Sequence, residues 1–395
     1  MSQQLIIHKP VKPVNVVKVD VDKEDSKMKF MYLGIGAAGN KAVMELPKAG
    51  ICEEDDIVLV NSTDRDIPKD FNGKVIIMSP ENAGAGKERK VARNLAINYL
   101  KTHSDEFKEL LNDADSVMFI TSVEGGTGSG STPILTSYAG KVLGKNTHIV
   151  AFTGFEDDVR GLENTVEFFK ELNFETDVMT IRNSAFLEEA DNNKMEAEKL
   201  ANQELIKRLR IMLGMDFNPG EHNIDSTDLY KLVSTTGYKT IEKIQLKKDL
   251  LNKDDFNTLC KNMIYNSKSV RSNNPGQLRL GMILNIKPET ESAIDFNYPI
   301  IIDSYGKPYE IYLQEQYDPK QGQYIAFISS GMKMPIDEIT AVYERYKSET
   351  KKVDKDNDTF FDKMKTYDIE EEDSMFNMVS HKKSTTSNDD FFNSL

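Results

Sequence analysis

From Met28 to about Thr180 the chain alternates short apolar runs with amphipathic stretches. The runs at 28–34, 56–60, 74–78, 116–121, 148–153 and 177–181 have strand length, and helical stretches fall between most of them. This alternation predicts an α/β fold, a Rossmann-like parallel sheet covered on both faces that takes its ligands at the carboxyl ends of the strands. The pattern then changes. Ala197, Ala201, Leu205, Leu209 and Leu213 recur four residues apart, which predicts one long central helix over 194–213, ending at Gly214. Beyond the break at Asn218-Pro219-Gly220 a smaller, mixed α+β region is expected. It has a helix after Asp225, strands at 278–286, 298–303, 309–314 and 323–329, and a helix after Pro335 with Ile336, Ile339, Tyr343 and Tyr346 on one face. The expected division is an extension at 1–27, a first domain at 28–193, the central helix and its loop at 194–220, and a second domain at 221–352. An acidic, disordered tail is expected at 353–395.

Composition narrows the partners. The 395 residues carry 50 basic and 64 acidic side chains, a net charge of −14, which argues against nucleic acid or an anionic membrane as a direct partner. No apolar run approaches the roughly 20 residues of a membrane span, and the amino terminus lacks a signal-peptide pattern, so a cytoplasmic location is expected. Only Cys52 and Cys260 occur, too far apart for a disulfide framework or a cysteine zinc site.

Candidate chemistry lies in two glycine-rich loops. Gly34-Ile35-Gly36-Ala37-Ala38-Gly39 follows the first strand and opens a helix. It fits either a phosphate-binding turn or a plain strand-to-helix turn. A dinucleotide site should also carry an acidic residue at the end of the second strand. Here that strand runs into Asn61-Ser62-Thr63, which weakens an oxidoreductase reading. The second loop, Glu124-Gly125-Gly126-Thr127-Gly128-Ser129-Gly130, joins a buried strand to an apolar helix. Its glycines and hydroxyls make a nest of backbone N–H groups backed by the positive end of that helix, a setting for phosphate. No Walker lysine is present.

The second loop resembles the signature GGGTG[ST]G of the tubulin/FtsZ superfamily, with Glu124 in place of the first glycine. Other pieces follow in the family's order, so the resemblance spans roughly 28–345. It implies GTP or GDP as ligand, with Mg2+ but no dedicated protein metal centre. Gly36, Ala37, Ala38 and Asn40 would form the first phosphate loop, and Asn61 the loop after the second strand. Gly84, Ala85 and Gly86 would face the terminal phosphate, while Gly125, Gly126, Thr127, Gly128, Ser129 and Gly130 cradle the others. Glu156 and Arg160 would hold the ribose. Asn183 and Asn202 would read guanine, a base suited to an amide that both donates and accepts.

Asn223, Asp225 and Asp228 resemble the family's NxDxxD loop, which positions the attacking water at the next subunit's nucleotide. Asp225 and Asp228 are equally suited to capping the helix that follows them. A site split between two copies implies a heterologous contact that propagates as a filament, so the chain itself is the expected partner. The stretches 84–90 and 125–135 resemble the plasmid- and phage-encoded TubZ group. That branch implies DNA segregation or positioning through a DNA-bound adaptor, which the tail would contact. An FtsZ-like division polymer is the alternative within the family. A Rossmann-type oxidoreductase is the alternative outside it, and a non-hydrolysing scaffold would keep the fold without the catalysis.

Overall fold

The computed structural model describes residues 28–172, 176–246, 254, 256, 258–259, 267–272, 276–289, 306–356 and 388–394. The expected extension at 1–27 and the expected strand at 298–303 lie outside the described residues. The first half runs β1 (Phe30–Ile35), α1 (Gly36–Val43), α2 (Glu45–Lys48), β2 (Ile57–Asn61), β3 (Lys74–Ile77), α3 (Arg89–Leu110) and β4 (Ser116–Ser122). It continues with α4 (Gly126–Lys141), β5 (Asn146–Thr153), α5 (Val159–Glu171), β6 (Asp177–Arg182) and α6 (Lys194–Met212). The second half holds α7 (Ser226–Val233), β7 (Gly237–Gln245), β8 (Arg279–Asn285), β9 (Glu310–Gln316), β10 (Tyr324–Met332), α8 (Ile336–Asp356) and α9 (Asn388–Asn393).

The ten strands among the described residues join one sheet in the order β3-β2-β1-β4-β5-β6-β7-β10-β8-β9. From β3 to β7 every pairing is parallel, and β10 runs antiparallel to both β7 and β8. Strands β1 and β2 are buried along their whole length, as continuous apolar runs in a doubly covered sheet should be. Alternate residues feed two cores. Met31 and Leu33 join Ala96, Leu100, Phe107 and Leu135 of α3 and α4 on one face. Phe30 and Tyr32 join Val43 of α1 and Ala197, Ala201, Leu205 and Leu209 of α6 on the other.

The strand pattern omits β7, and the reason is physical. Its sequence, GYKTIEKIQ, interleaves charges that read as surface, yet Lys239 and Glu242 are buried. Lys239 Nζ lies 2.6 Å from Asp177 Oδ2 on β6 and also donates to Val233 O. His148 Nδ1 stands 2.7 Å from the same carboxylate oxygen. Burial holds the His148 imidazole and the Lys239 ammonium below their ordinary pKa values. Glu242 accepts from Ser267 and Ser269, and faces the fully buried Arg208 of α6. Arg208 in turn donates to Glu204 at 3.0 Å and to Thr180 O of β6 at 2.9 Å. These charges stitch the three-residue β6–β7 seam, Asp177–Met179 against Gly237–Lys239, where the two halves of the sheet meet.

The tail also departs from expectation. α8 continues to Asp356, and residues 388–393 form α9. Phe391 is only 2% exposed because it packs edge-on against Tyr138 of α4, with ring centroids 5.3 Å apart. Phe392 stacks on the same Tyr138 ring, and Lys101 of α3 lies over Phe392. The aromatic pair therefore docks on its own chain, whereas the acidic run at 368–373 lies outside the described residues.

Two outcomes follow from these contacts. Lys239→Met leaves Asp177 buried without its cation, and should lower the unfolding free energy by about 3–5 kcal/mol in urea titrations. Phe391→Ala should release α9, measured as loss of amide hydrogen-exchange protection confined to 388–394.

Candidate functional site

The loops that follow β1, β2 and β4 meet at the carboxyl edge of the sheet. β1 turns into α1 at Gly36, whose φ of +73° is a conformation that side chains resist. A Cβ there would lie 3.5 Å from Gly128 N, so the first glycine loop rests against the start of α4. Ser62, after β2, shares a 3.1 Å hydrogen bond between hydroxyls with Thr127. Asn61 Oδ1 accepts from Ser62 N at 2.8 Å and shapes that turn. Ala37 is half-buried and Ala38 exposed at the first turn of α1.

Two expected nucleotide contacts carry unmet hydrogen-bonding capacity. Asn40 is fully buried, and its Oδ1 accepts from Val60 N at 3.2 Å. Its Nδ2 has no partner among the described residues. Asn183, buried just past β6, likewise keeps an unpartnered Oδ1. A buried polar atom left without a partner costs about 1–3 kcal/mol, so each marks a position where a ligand would stabilise the fold. Asn202 is half-buried on α6.

The second glycine loop is built differently from its sequence expectation, in which the glycines serve the approach of phosphate. A Cβ on Gly126 would lie 2.8 Å from the backbone of Lys87 and Glu88, one on Gly128 2.2 Å from Ser122 O, and one on Gly130 2.2 Å from Arg89 O. These three glycines let α4 pack against β4 and the start of α3. Gly125 alone in this loop has open space at its Cβ position. Ser129 Oγ donates to Gly125 O at 2.5 Å, which spends that hydroxyl within the turn. The N–H groups at the start of α4 remain the feature of this loop suited to an anion.

The 84–88 segment and the loop after β5 close the site on the other side. Gly84 and Gly86 are exposed with open space at their Cβ positions, while Ala85 is buried. Lys87 pairs with Asp158 at 2.6 Å. The expected ribose residues are engaged elsewhere. Arg160 pairs with Glu88 at 3.0 Å and Glu163 at 2.5 Å, and Glu156 accepts from Arg345 and Tyr346 of α8 at 3.0 and 3.1 Å. Two residues that sequence reasoning did not single out for a role tie this region together. Asn164 Nδ2 donates to Glu124 O at 2.7 Å and reaches Lys87 O at 3.1 Å. Glu124 Oε1 accepts from Phe155 N at 2.8 Å, and burial pushes its carboxyl up to about 7 despite that hydrogen bond. A buried amide on the apolar face of α5 was the available signal for Asn164, and the departure from the glycine signature was the signal for Glu124.

Asn223, Asp225 and Asp228 stand apart from these loops. Asn223 closes a tight turn, accepting from Gly220 N and donating to Gly220 O, both at 2.8 Å. Asp225 caps α7 by accepting from Asp228 N at 2.8 Å, and Asp228 pairs with Lys231 at 3.3 Å. On the same helix, Tyr230 OH accepts from Asn146 Nδ2 at 3.0 Å, and Asn146 is the first residue of β5. α7 therefore sits by the amino ends of β5 and β6, whereas the glycine loops follow carboxyl ends.

Residues 29–191 match the family described as Tubulin/FtsZ family, GTPase domain. That stretch is a tubulin/FtsZ GTPase domain. The chain is 28% identical over 229 residues to the tubulin-like protein TubZ of Clostridium botulinum C phage, aligned over 57% of this chain and 62% of the relative. It is 26% identical over 233 residues to cell division protein FtsZ 1 of Thermococcus kodakarensis, over 56% and 61% of the two chains. The chain thus spans about 60% of the length of the curated relatives it matches. Among solved structures, the tail-truncated TubZ of Clostridium botulinum phage c-st superposes with a TM-score of 0.65 at 19% identity, covering 82% of this chain and 99% of that one. The GTPγS-form protofilament of Bacillus thuringiensis serovar israelensis TubZ gives 0.64 at 14% identity, covering 84% and 94%. The described residues adopt the tubulin/FtsZ fold.

The glycines of this loop differ in what surrounds them. Gly128→Ala should destabilise the protein by about 1–3 kcal/mol, because its methyl meets backbone, whereas Gly125→Ala should stay within about 0.5 kcal/mol of the parent in urea unfolding.

Proposed function

We propose that the chain binds GTP in preference to ATP, polymerises head to tail, and hydrolyses GTP at the junctions between subunits. The observation that carries this reading is the separation of its two halves. The glycine loops follow the carboxyl ends of β1 and β4, while α7 touches the amino end of β5 through Tyr230 and, through Val233 O, Lys239 of β7, which pairs with Asp177 at the start of β6. The eight residues of β5 alone extend over about 25 Å. A carboxylate that orients an attacking water works within hydrogen-bond reach of it. Asn223, Asp225 and Asp228 therefore serve the nucleotide of the next subunit, and capping of α7 by Asp225 holds that loop in shape. Such a contact is heterologous and continues as a filament when it does not close.

The unpartnered Asn183 Oδ1 supports the choice of base, because guanine offers ring and exocyclic N–H donors. Asn202 would share that task. Mg2+ bound with the nucleotide supplies positive charge to the terminal phosphates. Among the described residues no group of three or more His, Cys, Asp or Glu side chains could hold a metal ion. Asn61 at the end of β2, bonded into its own turn, leaves an oxidoreductase without its ribose carboxylate.

The resemblance of 84–90 and 125–135 to the TubZ group extends the proposal to segregating or positioning plasmid or phage DNA. A DNA-bound adaptor would be reached through the acidic part of the tail. No helix among the described residues is long and apolar enough to cross a membrane.

Phosphate release measured against protein concentration tests the reading. Specific activity with GTP should climb steeply above a threshold concentration and remain flat with ATP. Asp228→Ala should retain GTP binding and assembly, yet lose hydrolysis by about 10²–10⁴-fold. Asn183→Leu should weaken GTP binding by about 1–3 kcal/mol in calorimetry. Specific activity independent of concentration would overturn assembly-dependent hydrolysis, and equal affinity for ATP would overturn the base assignment.

A further inference from the structure

Glu124 stands where the tubulin/FtsZ signature has its first glycine, and the surrounding chain is shaped around its side chain. Its Oε1 accepts from Phe155 N at 2.8 Å. A Cβ on Gly154 would fall 1.5 Å from that same Oε1, and a Cβ on Gly161 would lie 3.1 Å from Glu124 Cβ. The carboxyl thus fills a slot that glycine at 154 leaves open. The main chain is tied as well, since Asn164 Nδ2 donates to Glu124 O at 2.7 Å and to Lys87 O at 3.1 Å. Three segments meet here: the start of the phosphate loop, the 84–88 segment and the 154–161 loop.

We propose that Glu124 is a positioning residue for the nucleotide, its carboxyl fastening the start of the phosphate loop to the 154–161 loop and so fixing the spacing between phosphate and sugar contacts. The inference rests on the nucleotide reading above and deepens it. Glycine at 124 would leave that spacing to the backbone alone. In this chain it depends on one side chain, which the two flanking glycines accommodate.

The electrostatics around the slot add a second consequence. Glu124 is faced by Lys87 of the 84–88 segment, Asp158 of the β5–α5 loop and Glu198 of α6. Lys87 is already paired with Asp158 at 2.6 Å, so burial prevails and the carboxyl takes up its proton near neutrality, at about 7. A polyphosphate at the start of α4 adds negative charge nearby and favours the neutral form further. The neutral carboxyl still accepts from Phe155 N through its carbonyl oxygen, so the fastening survives protonation. The bound state therefore holds more protons than the free state. By linkage, affinity is greatest below the free-state midpoint and declines as pH rises through it.

Calorimetric titration of the full chain with GDP, which spans both loops, and with tripolyphosphate, which does not, tests the proposal. The parent, Glu124→Gln and Glu124→Gly proteins are compared about a unit below and about a unit above the Glu124 midpoint of about 7. At the lower pH, where Glu124 is neutral, Glu124→Gly should bind GDP about tenfold more weakly and tripolyphosphate as the parent does. Glu124→Gln keeps the acceptor and cannot ionise. It should match the parent at the lower pH and bind GDP several-fold more tightly than the parent at the higher one. Equal weakening of both ligands by Glu124→Gly would overturn the proposal, since the fault would then lie in the phosphate loop itself. Equal pH dependence in parent and Glu124→Gln would overturn it too, and this arm stands alone if the glycine variant does not fold. A parent protein that binds no GDP would instead overturn the nucleotide reading.

Discussion

A parallel strand commits the loop after it to one edge of the sheet, and seven such strands side by side commit all their loops to the same edge. That polarity gathers the glycine loops after β1 and β4, the Asn61–Thr63 turn after β2 and the buried Asn183 after β6 at the carboxyl ends. It also decides where the aspartates go. α6 begins at the same edge, where Lys194 pairs with Asp157 at 2.6 Å, and its 19 residues carry the chain about 28 Å away. The Asn223–Asp228 loop follows that helix, so its distance from the phosphate loops is a property of the fold rather than of any side-chain rotamer. A chemistry that needs both sets of groups then calls for two copies of the chain.

The cost of this arrangement is concentrated at the β6–β7 seam, where the parallel sheet hands over to the mixed one through three paired positions. Backbone pairing this short needs reinforcement, and buried charge supplies it. Asp177 is shared between Lys239 and His148, while Arg208 links α6 to β6 and to Ser269 of the segment that runs beside it. Buried ion pairs contribute little net stability against apolar replacements, but they are strongly directional, and removing one partner is expensive. The helix that spaces the two half-sites is thereby fixed to the sheet that carries one of them. Elsewhere in the sheet Gly126, Gly128 and Gly130 let the second glycine loop and α4 approach β4 and the start of α3 closely.

Much of this was legible in the chain. Continuous apolar runs gave β1, β2, β4, β5 and β6 within a residue or two, because strands covered on both faces carry almost no polar interruptions. The four-residue spacing of Ala197 to Leu209 located α6. β7 was hidden because Lys239 and Glu242 read as surface charges until their partners, distant in sequence, are known. The C-terminal helix was hidden for the opposite reason, since two aromatics in a polar tail do not reveal which ring they will meet. At the candidate site the motifs identified which loops converge, but not why each glycine is there: three of them serve helix packing, and one lines open space. Glu156 and Arg160 illustrate a different limit. Their positions follow from the motif, while their ion pairs with α8 and with Glu88 depend on tertiary neighbours.

The claim that most depends on this geometry is that one subunit's aspartates act on another subunit's nucleotide. Mixing two inactive proteins tests it directly. Asp228→Ala keeps its phosphate loop, and Gly125→Asp, which sets a negative charge where the phosphate would lie, keeps its aspartate loop. With co-assembly followed by sedimentation, phosphate release from the mixture should exceed the sum of the two proteins alone and peak near equal proportions. Co-sedimentation with no gain in phosphate release at any proportion would contradict the account.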